Sequence, residues 1–170
     1  MRKKTRKVAL LGVLTSVALV LSYLEVMLPP ISTAVPGIKM GLPNIIIIFV
    51  LYKFGLKEAV TVSLIRVFIV ALIFGGNIMT LSYSVAGAVL SLALMTIFKK
   101  LNLFSIVGVS IIGGISHNLG QILVAIFLFD TIQIGYYMIV LSITGTIAGV
   151  VIGIISSVLV KKLEKFVKNF

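Results

Sequence analysis

An arginine stands in the middle of an apolar run, 57–74, that is otherwise long enough to cross a bilayer: Arg66. A guanidinium at the centre of a membrane helix costs at least ~3 kcal/mol on insertion scales, so such a residue faces a partner, a ligand or a water-filled cavity. A chain that carries it must turn one face of that helix inward. The run is one of several. Apolar residues make up 60% of the chain and mean hydropathy is +1.27, against roughly 45–50% apolar content in a soluble domain. An all-α integral membrane protein is expected, a single transmembrane domain over residues 1–170 with no length left for a soluble one.

Six hydrophobic segments can be placed, at 8–28, 43–52, 58–74, 80–98, 104–129 and 135–160. If the N-terminus is cytoplasmic, so are Arg2, Lys3, Lys4, Arg6, Lys7, Lys53, Lys57, Lys99, Lys100, Lys161, Lys162, Lys165 and Lys168, and the outer loops hold only Lys39. This asymmetry predicts six spans in the cell membrane with both termini cytoplasmic. The net charge of +11 therefore reports topology, because its basic residues cluster at the ends of the runs rather than forming a nucleic-acid footprint. Residues 1–7 followed by an apolar run have the outline of a signal peptide. No small-x-small site closes that run, and an uncleaved first span is expected. The chain has no cysteine, which excludes disulfides, thiolate chemistry and cysteine-ligated metal.

The second segment is anomalous, because ten residues at 1.5 Å each give only ~15 Å of helix, half of the ~30 Å hydrocarbon core. Before it comes a stretch rich in proline and glycine, Pro29-Pro30 through Pro36-Gly37 to Gly41-Leu42-Pro43, expected to dip inward as irregular outer-loop backbone. Such backbone is tolerated at membrane depth only where protein or a water-filled cavity covers it. Pro43 suits the first position of a helix, so a start at Pro43 or Asn44 is expected, with unpaired N–H groups and the positive dipole end directed into a cavity. Half-helix ends of this kind hold anionic groups in transporters.

The remaining polar groups gather at matching depth. Lys39 and Asn44 stand at the mouth of the half-helix, Arg66 lies in the third segment, and Asn77 follows in the loop Gly75-Gly76-Asn77. On the fifth segment Gly113, His117 and Gln121 fall at i, i+4 and i+8 with Asn118 beside them, so that glycine would clear space next to an inward polar stripe. Lys39, Asn44, Arg66, Asn77, His117, Asn118 and Gln121 form the candidate substrate-binding set, open to the outside. Glu25 and Asp130, the acids outside the cytoplasmic segments, are candidate charge partners. A plainer reading pairs Arg66 with Glu25 or with helix carbonyls, and makes Asn44, Asn118 and Gln121 interhelical hydrogen bonds of ~0.6 kcal/mol each. Convergence of Arg66, Lys39 and the helix end favours an anionic ligand.

His117, without Asp, Glu or Cys in helical register, makes a poor metal site. A hydrogen-bonding role is expected, with proton sensing as the alternative. Gly145, Gly149, Gly153 and Ser157 recur every four residues as a packing stripe, and Gly12 with Ser16 forms a shorter one that could seat a helix of this chain or a partner subunit. Tyr83, between Ser82 and Ser84, suits an interface anchor or a cavity wall. No P-loop motif is present, the one aspartate is Asp130, and no Ser-His-Asp set is apparent. The expectation is a protein that is not an enzyme and holds no metal or cofactor.

The segments Lys39-Met40-Gly41-Leu42-Pro43-Asn44, Leu64-Ile65-Arg66, Ser82-Tyr83-Ser84-Val85-Ala86-Gly87 and 108–121, with its Ser116-His117-Asn118-Leu119-Gly120-Gln121, resemble the Gx transporter family. That family is also catalogued as heptaprenyl diphosphate synthase component I. The resemblance covers most of the chain. It is similar in size and layout to the substrate-binding S components of energy-coupling factor (ECF) transporters, six-helix proteins that capture vitamins or related molecules at an outward-facing site. The resemblance implies as partners a membrane T subunit and cytoplasmic ATPases. One departure stands out: the Ala-x-x-x-Ala docking motif of many S components is broken here, since Ala9 is followed four residues later by Val13. Gly12 and Ser16 could substitute.

The leading expectation is a substrate-binding subunit of an uptake transporter for an anionic or amphipathic, vitamin-like molecule. The alternatives are a noncatalytic membrane subunit of heptaprenyl diphosphate synthesis and a proton-coupled carrier using Glu25, Asp130 or His117. The acidic clusters of a prenyl synthase active site are missing from this chain.

Overall fold

A computed structural model of the protein describes residues 2–27, 41–74 and 78–164. Six α-helices follow one another among these residues: α1 (Arg2–Met27), α2 (Asn44–Lys53), α3 (Leu56–Ile73), α4 (Ile78–Leu101), α5 (Ile106–Phe129) and α6 (Tyr137–Lys162), with a 3₁₀ turn at Ile132–Tyr136 before the last. The expected loop 28–40, with Lys39, and Asn77 lie outside the described residues.

Four helices, α1, α4, α5 and α6, are long and apolar enough to cross a membrane, which points to a membrane protein. The other two differ for legible reasons. α2 has ten residues, and α3 fits 18 residues but carries Lys57, Glu58 and Arg66.

Local chemistry explains the boundaries. Gly55, between α2 and α3, has φ +106°, a conformation that L side chains rarely adopt, and its N–H donates to Val50 O at 3.1 Å to close α2. Ser105 caps α5 by accepting from Gly108 N–H at 3.3 Å, satisfying one of the donors every helix start leaves open. α4 and α5 end at residues in the left-handed region, Asn102 and Asp130.

The core is built around α2. Residues Ile45 to Leu51 are all buried, so this helix is apolar on every side, as a core helix must be. Leu14 and Ala18 of α1, Ala59 and Val62 of α3, Leu92 and Met95 of α4, Val109 of α5, and Ile152 and Val160 of α6 share its hydrophobic cluster. Every longer helix therefore contributes to the wall around the short one.

The C-terminal end of α2 is held by charge. Lys99 Nζ of α4 donates to Leu51 O at 2.7 Å and lies 4.9 Å from the Tyr52 ring centroid. An ammonium placed there satisfies a terminal carbonyl and the negative end of the helix dipole together. Lys7 pairs with Glu58, and Lys53 lies 3.7 Å from Glu164, so lysines of several helices meet at one basic end of the bundle.

α5 packs closely against α4 on one side and α6 on the other, and glycines set the spacing. A Cβ on Gly120 of α5 would meet Ala86 O of α4 at 2.7 Å, and one on Gly149 of α6 would meet Ile111 Cα of α5 at 2.6 Å. Gly145 and Gly153 abut α5 in the same way, against Gly114 and Val107. Small residues let backbones approach where no hydrophobic force drives helices together. Gly12 of α1 differs: nothing lies within 4 Å of its Cβ position, and Ser16 donates to Gly12 O within the same helix at 3.1 Å. Gly149→Ala is expected to lower the stability of the detergent-solubilised protein by about 1–3 kcal/mol through overpacking. Gly12→Ala should leave it unchanged or raise it by up to ~1 kcal/mol through helix propensity. Thermal melts of the two variants check this, and equal effects would contradict the assigned packing.

Candidate functional site

Arg66 occupies the inward face of α3. The buried residues of this helix are Ala59, Val62, Ser63 and Val67, and Arg66 follows Val62 and Ser63 at i+4 and i+3, on the same side. Its Nε is shielded from solvent and makes no hydrogen bond among the described residues. The nearby charge is Glu25 of α1, whose carboxylate attracts the guanidinium. Asp130, the other candidate counter-charge, is exposed where α5 ends.

Glu25 also reaches the entry to α2. Its Oε1 accepts from the backbone N–H of Gly41, a residue with φ +74° that only glycine adopts readily. The Asn44 carboxamide lies against the same glycine, with Nδ2 3.1 Å from its Cβ position. Glu25, Gly41 and Asn44 are thus brought together, and the Arg66 guanidinium lies within electrostatic reach of the carboxylate. The expected helix start near Pro43 or Asn44 agrees with the observed one at Asn44.

The expected unpaired N–H groups do not occur. Asn44 N–H donates to Gly41 O at 2.8 Å, Ile45 N–H to Leu42 O at 3.2 Å, and the N–H groups of Ile46 and Ile47 both reach Pro43 O, at 3.1 and 3.3 Å. A tightened first turn consumes the donors, a common way to satisfy helix ends. The anion at this helix start is the protein's own Glu25.

The stripe on α5 divides between two neighbours. The His117 ring rests on Gly87 of α4, whose Cβ position lies 2.8 Å from Cε1. Asn118 turns the other way, donating from Nδ2 to Leu141 O of α6 at 2.8 Å over the space that Gly145 leaves. Successive helical residues diverge by about 100°, since 3.6 complete a turn, so these two side chains serve different interfaces. The space expected beside Gly113 is filled by Met95 and Ser91, and Ser91 donates to Gly113 O at 2.9 Å. Gln121 lies one turn beyond His117, half-buried. Tyr83, expected at the opening of α4, sits in its second turn, half-buried. Among the described residues no group of three or more His, Cys, Asp or Glu could hold a metal.

Sequence reasoning missed Gly87 as the seat of His117 and Lys99 as the partner of α2. Gly87 is a glycine inside a long apolar run, a recognisable sign of close approach. Lys99 carried no such signal, because a lysine at a helix end reads as topology.

Because its amide donor is engaged by α6, Asn118→Ala should cost roughly 0.6–1.7 kcal/mol of stability while leaving small-molecule binding unaltered. Thermal unfolding and ligand retention measured on the same preparation check both halves.

The described geometry is that of a helical bundle with four helices able to cross a membrane and an inward-turned Arg66 whose Nε is shielded. No curated protein and no solved structure matches the chain. The family model for heptaprenyl diphosphate synthase component I matches residues 14–159, a stretch that includes α2 to α5 whole, most of α6 and the C-terminal half of α1. The chain belongs to the heptaprenyl diphosphate synthase component I family.

Proposed function

We propose that this protein is a membrane-embedded binding subunit of an uptake transporter, taking an anionic or amphipathic small molecule at Arg66 and energised by separate ATPase subunits. The observation that carries the proposal is the inward Arg66, whose shielded Nε makes no hydrogen bond among the described residues. A buried guanidinium donor without a partner costs more than a neutral one, and a cation facing the interior of a membrane bundle is placed there for a partner or a cargo.

The Glu25 carboxylate accepts from Gly41 N–H and attracts the Arg66 guanidinium. In this reading it screens the arginine when no cargo is present, and an incoming anion competes with it. Asn44, beside Gly41, is positioned to donate to the same anion. His117 and Gln121 lie on α5, and their part is secondary. Lys39 and Asn77 are retained as candidate outer contacts on sequence grounds alone.

The family description favours a second reading, a noncatalytic membrane component in heptaprenyl diphosphate synthesis. A diphosphate head would use the same arginine, so the two readings separate by partner rather than by site. Copurification with ATPases supports the first reading, and copurification with an Asp-rich soluble synthase supports the second.

Native mass spectrometry of the protein from its own host, in mild detergent, tests the shared claim. An anionic molecule should be retained by the native chain and lost by about tenfold or more in Arg66→Gln, the loss expected for one charge-assisted contact. Arg66→Lys should recover only part of it, since lysine lacks the planar fork of donors. Retention undiminished in Arg66→Gln would refute the assignment.

A further inference from the structure

A groove of about 230 Å³ lies between α1 and α3, lined by Leu19, Val20, Tyr23, Val70, Ile73 and Phe74. Its walls are wholly apolar side chains apart from the Tyr23 hydroxyl. Val20, Tyr23, Ile73 and Phe74 are exposed, so the groove opens on the outer surface of the bundle, where the acyl chains of a bilayer lie.

The depth of this groove relative to Arg66 follows from two contacts. Lys7 pairs with Glu58 at one end of the helix pair, and Tyr23 stacks on Phe74 with centroids 5.6 Å apart at the other. Both pairs share one offset of 51 residues, so α1 and α3 run side by side in constant register. Arg66 is then level with Thr15, one turn from the Leu19 and Val70 end of the groove. Glu25 lies just past the level at which α3 ends, about ten residues or ~15 Å along α1 from Thr15. The carboxylate nevertheless attracts the guanidinium. The groove, at 19–23 and 70–74, therefore lies between the levels of the two charged residues.

We propose that the groove takes the apolar chain of a single-chain anionic amphiphile whose head is held at Arg66, and that this molecule enters sideways from the bilayer between α1 and α3. The inference rests on the binding reading above and extends it to substrate class and route. Arg66 supplies the charge complement that an ordinary lipid-facing seam lacks: its buried Nε makes no hydrogen bond among the described residues, and Val70 lies one turn above it on the same face of α3. The volume is about one and a half times the ~150 Å³ cavity that accommodates benzene, room for part of one chain and not for the paired chains of a phospholipid.

The test uses the full-length protein in phosphatidylcholine nanodiscs with decyl phosphate carrying a photoreactive diazirine at its chain end, and labelled peptides mapped by mass spectrometry. Labelling should concentrate on 19–23 and 70–74 and fall about tenfold in Arg66→Gln. Unlabelled decyl phosphate should compete, and decanol should not. Val70→Phe, which fills the groove and leaves Arg66 in place, should also suppress labelling of these peptides, so the proposal does not depend on one variant that could misfold. Label spread evenly over the outer faces of α4 and α6, or equal competition by decanol, would identify bulk lipid contact and overturn the proposal. Decyl phosphate that depends on Arg66 yet labels elsewhere would overturn the groove while leaving the anion reading intact. Labelling indifferent to Arg66→Gln would overturn both.

Discussion

A ten-residue helix buried on every side is the constraint on which this structure depends. α2 cannot reach across a bilayer core by itself, so both of its ends, with their partial charges, lie within the reach of other helices. The C-terminal end is met by Lys99 of α4, bonded to Leu51 O. At the other end the helix closes its own first turn, and the Glu25 carboxylate takes the N–H of Gly41 just ahead of it. Opposite charges at opposite ends complement the macrodipole, and all five longer helices supply the apolar wall between them. Arg66 enters this scheme through Glu25, so the cation that sequence singles out is tied electrostatically to the entry of the central helix.

Much of this was legible from the chain. The energetic cost of a guanidinium in an apolar run predicted an inward-facing Arg66, and the register of α3 places it so. Helix positions followed from hydrophobic runs of near-spanning length, and the half-length of α2 from the brevity of its own run. Chemistry between distant segments was not legible. Nothing local says that Lys99 bonds Leu51, 48 residues away, or that the donors at Asn44 to Ile47 are consumed by carbonyls of the same turn. His117 and Asn118 are adjacent in sequence and so looked like one site, but the helical twist sends one to α4 and the other to α6. Gly113 is expected to clear space beside the polar stripe of α5, and Met95 occupies that space.

The glycines divide along the same line. Gly113, Gly114 and Gly120 of α5 and the glycines of α6 are spent on close helix contact within the chain, whereas Gly12 faces open space beside Ser16. α5 is thereby held closely between α4 and α6, and α1 with α3 forms the seam where an apolar groove remains. Arg66, Glu25 and the groove all belong to that seam or its immediate depth. Cargo recognition on this account takes place at the less tightly packed side of the bundle, away from the glycine contacts that α5 makes with α4 and α6.

The central claim is that Arg66 serves an external anion and that Glu25 stands in for it. The most direct test is the thermal stabilisation by decyl phosphate of Glu25→Gln compared with the native chain. Glutamine keeps an oxygen able to accept from Gly41 and removes the competing charge, so the account predicts a folded variant stabilised more strongly by the anion. If Glu25→Gln is instead destabilised, gains nothing from the anion, and recovers native stability when Arg66→Gln is added, the two residues are a structural ion pair and the account is wrong.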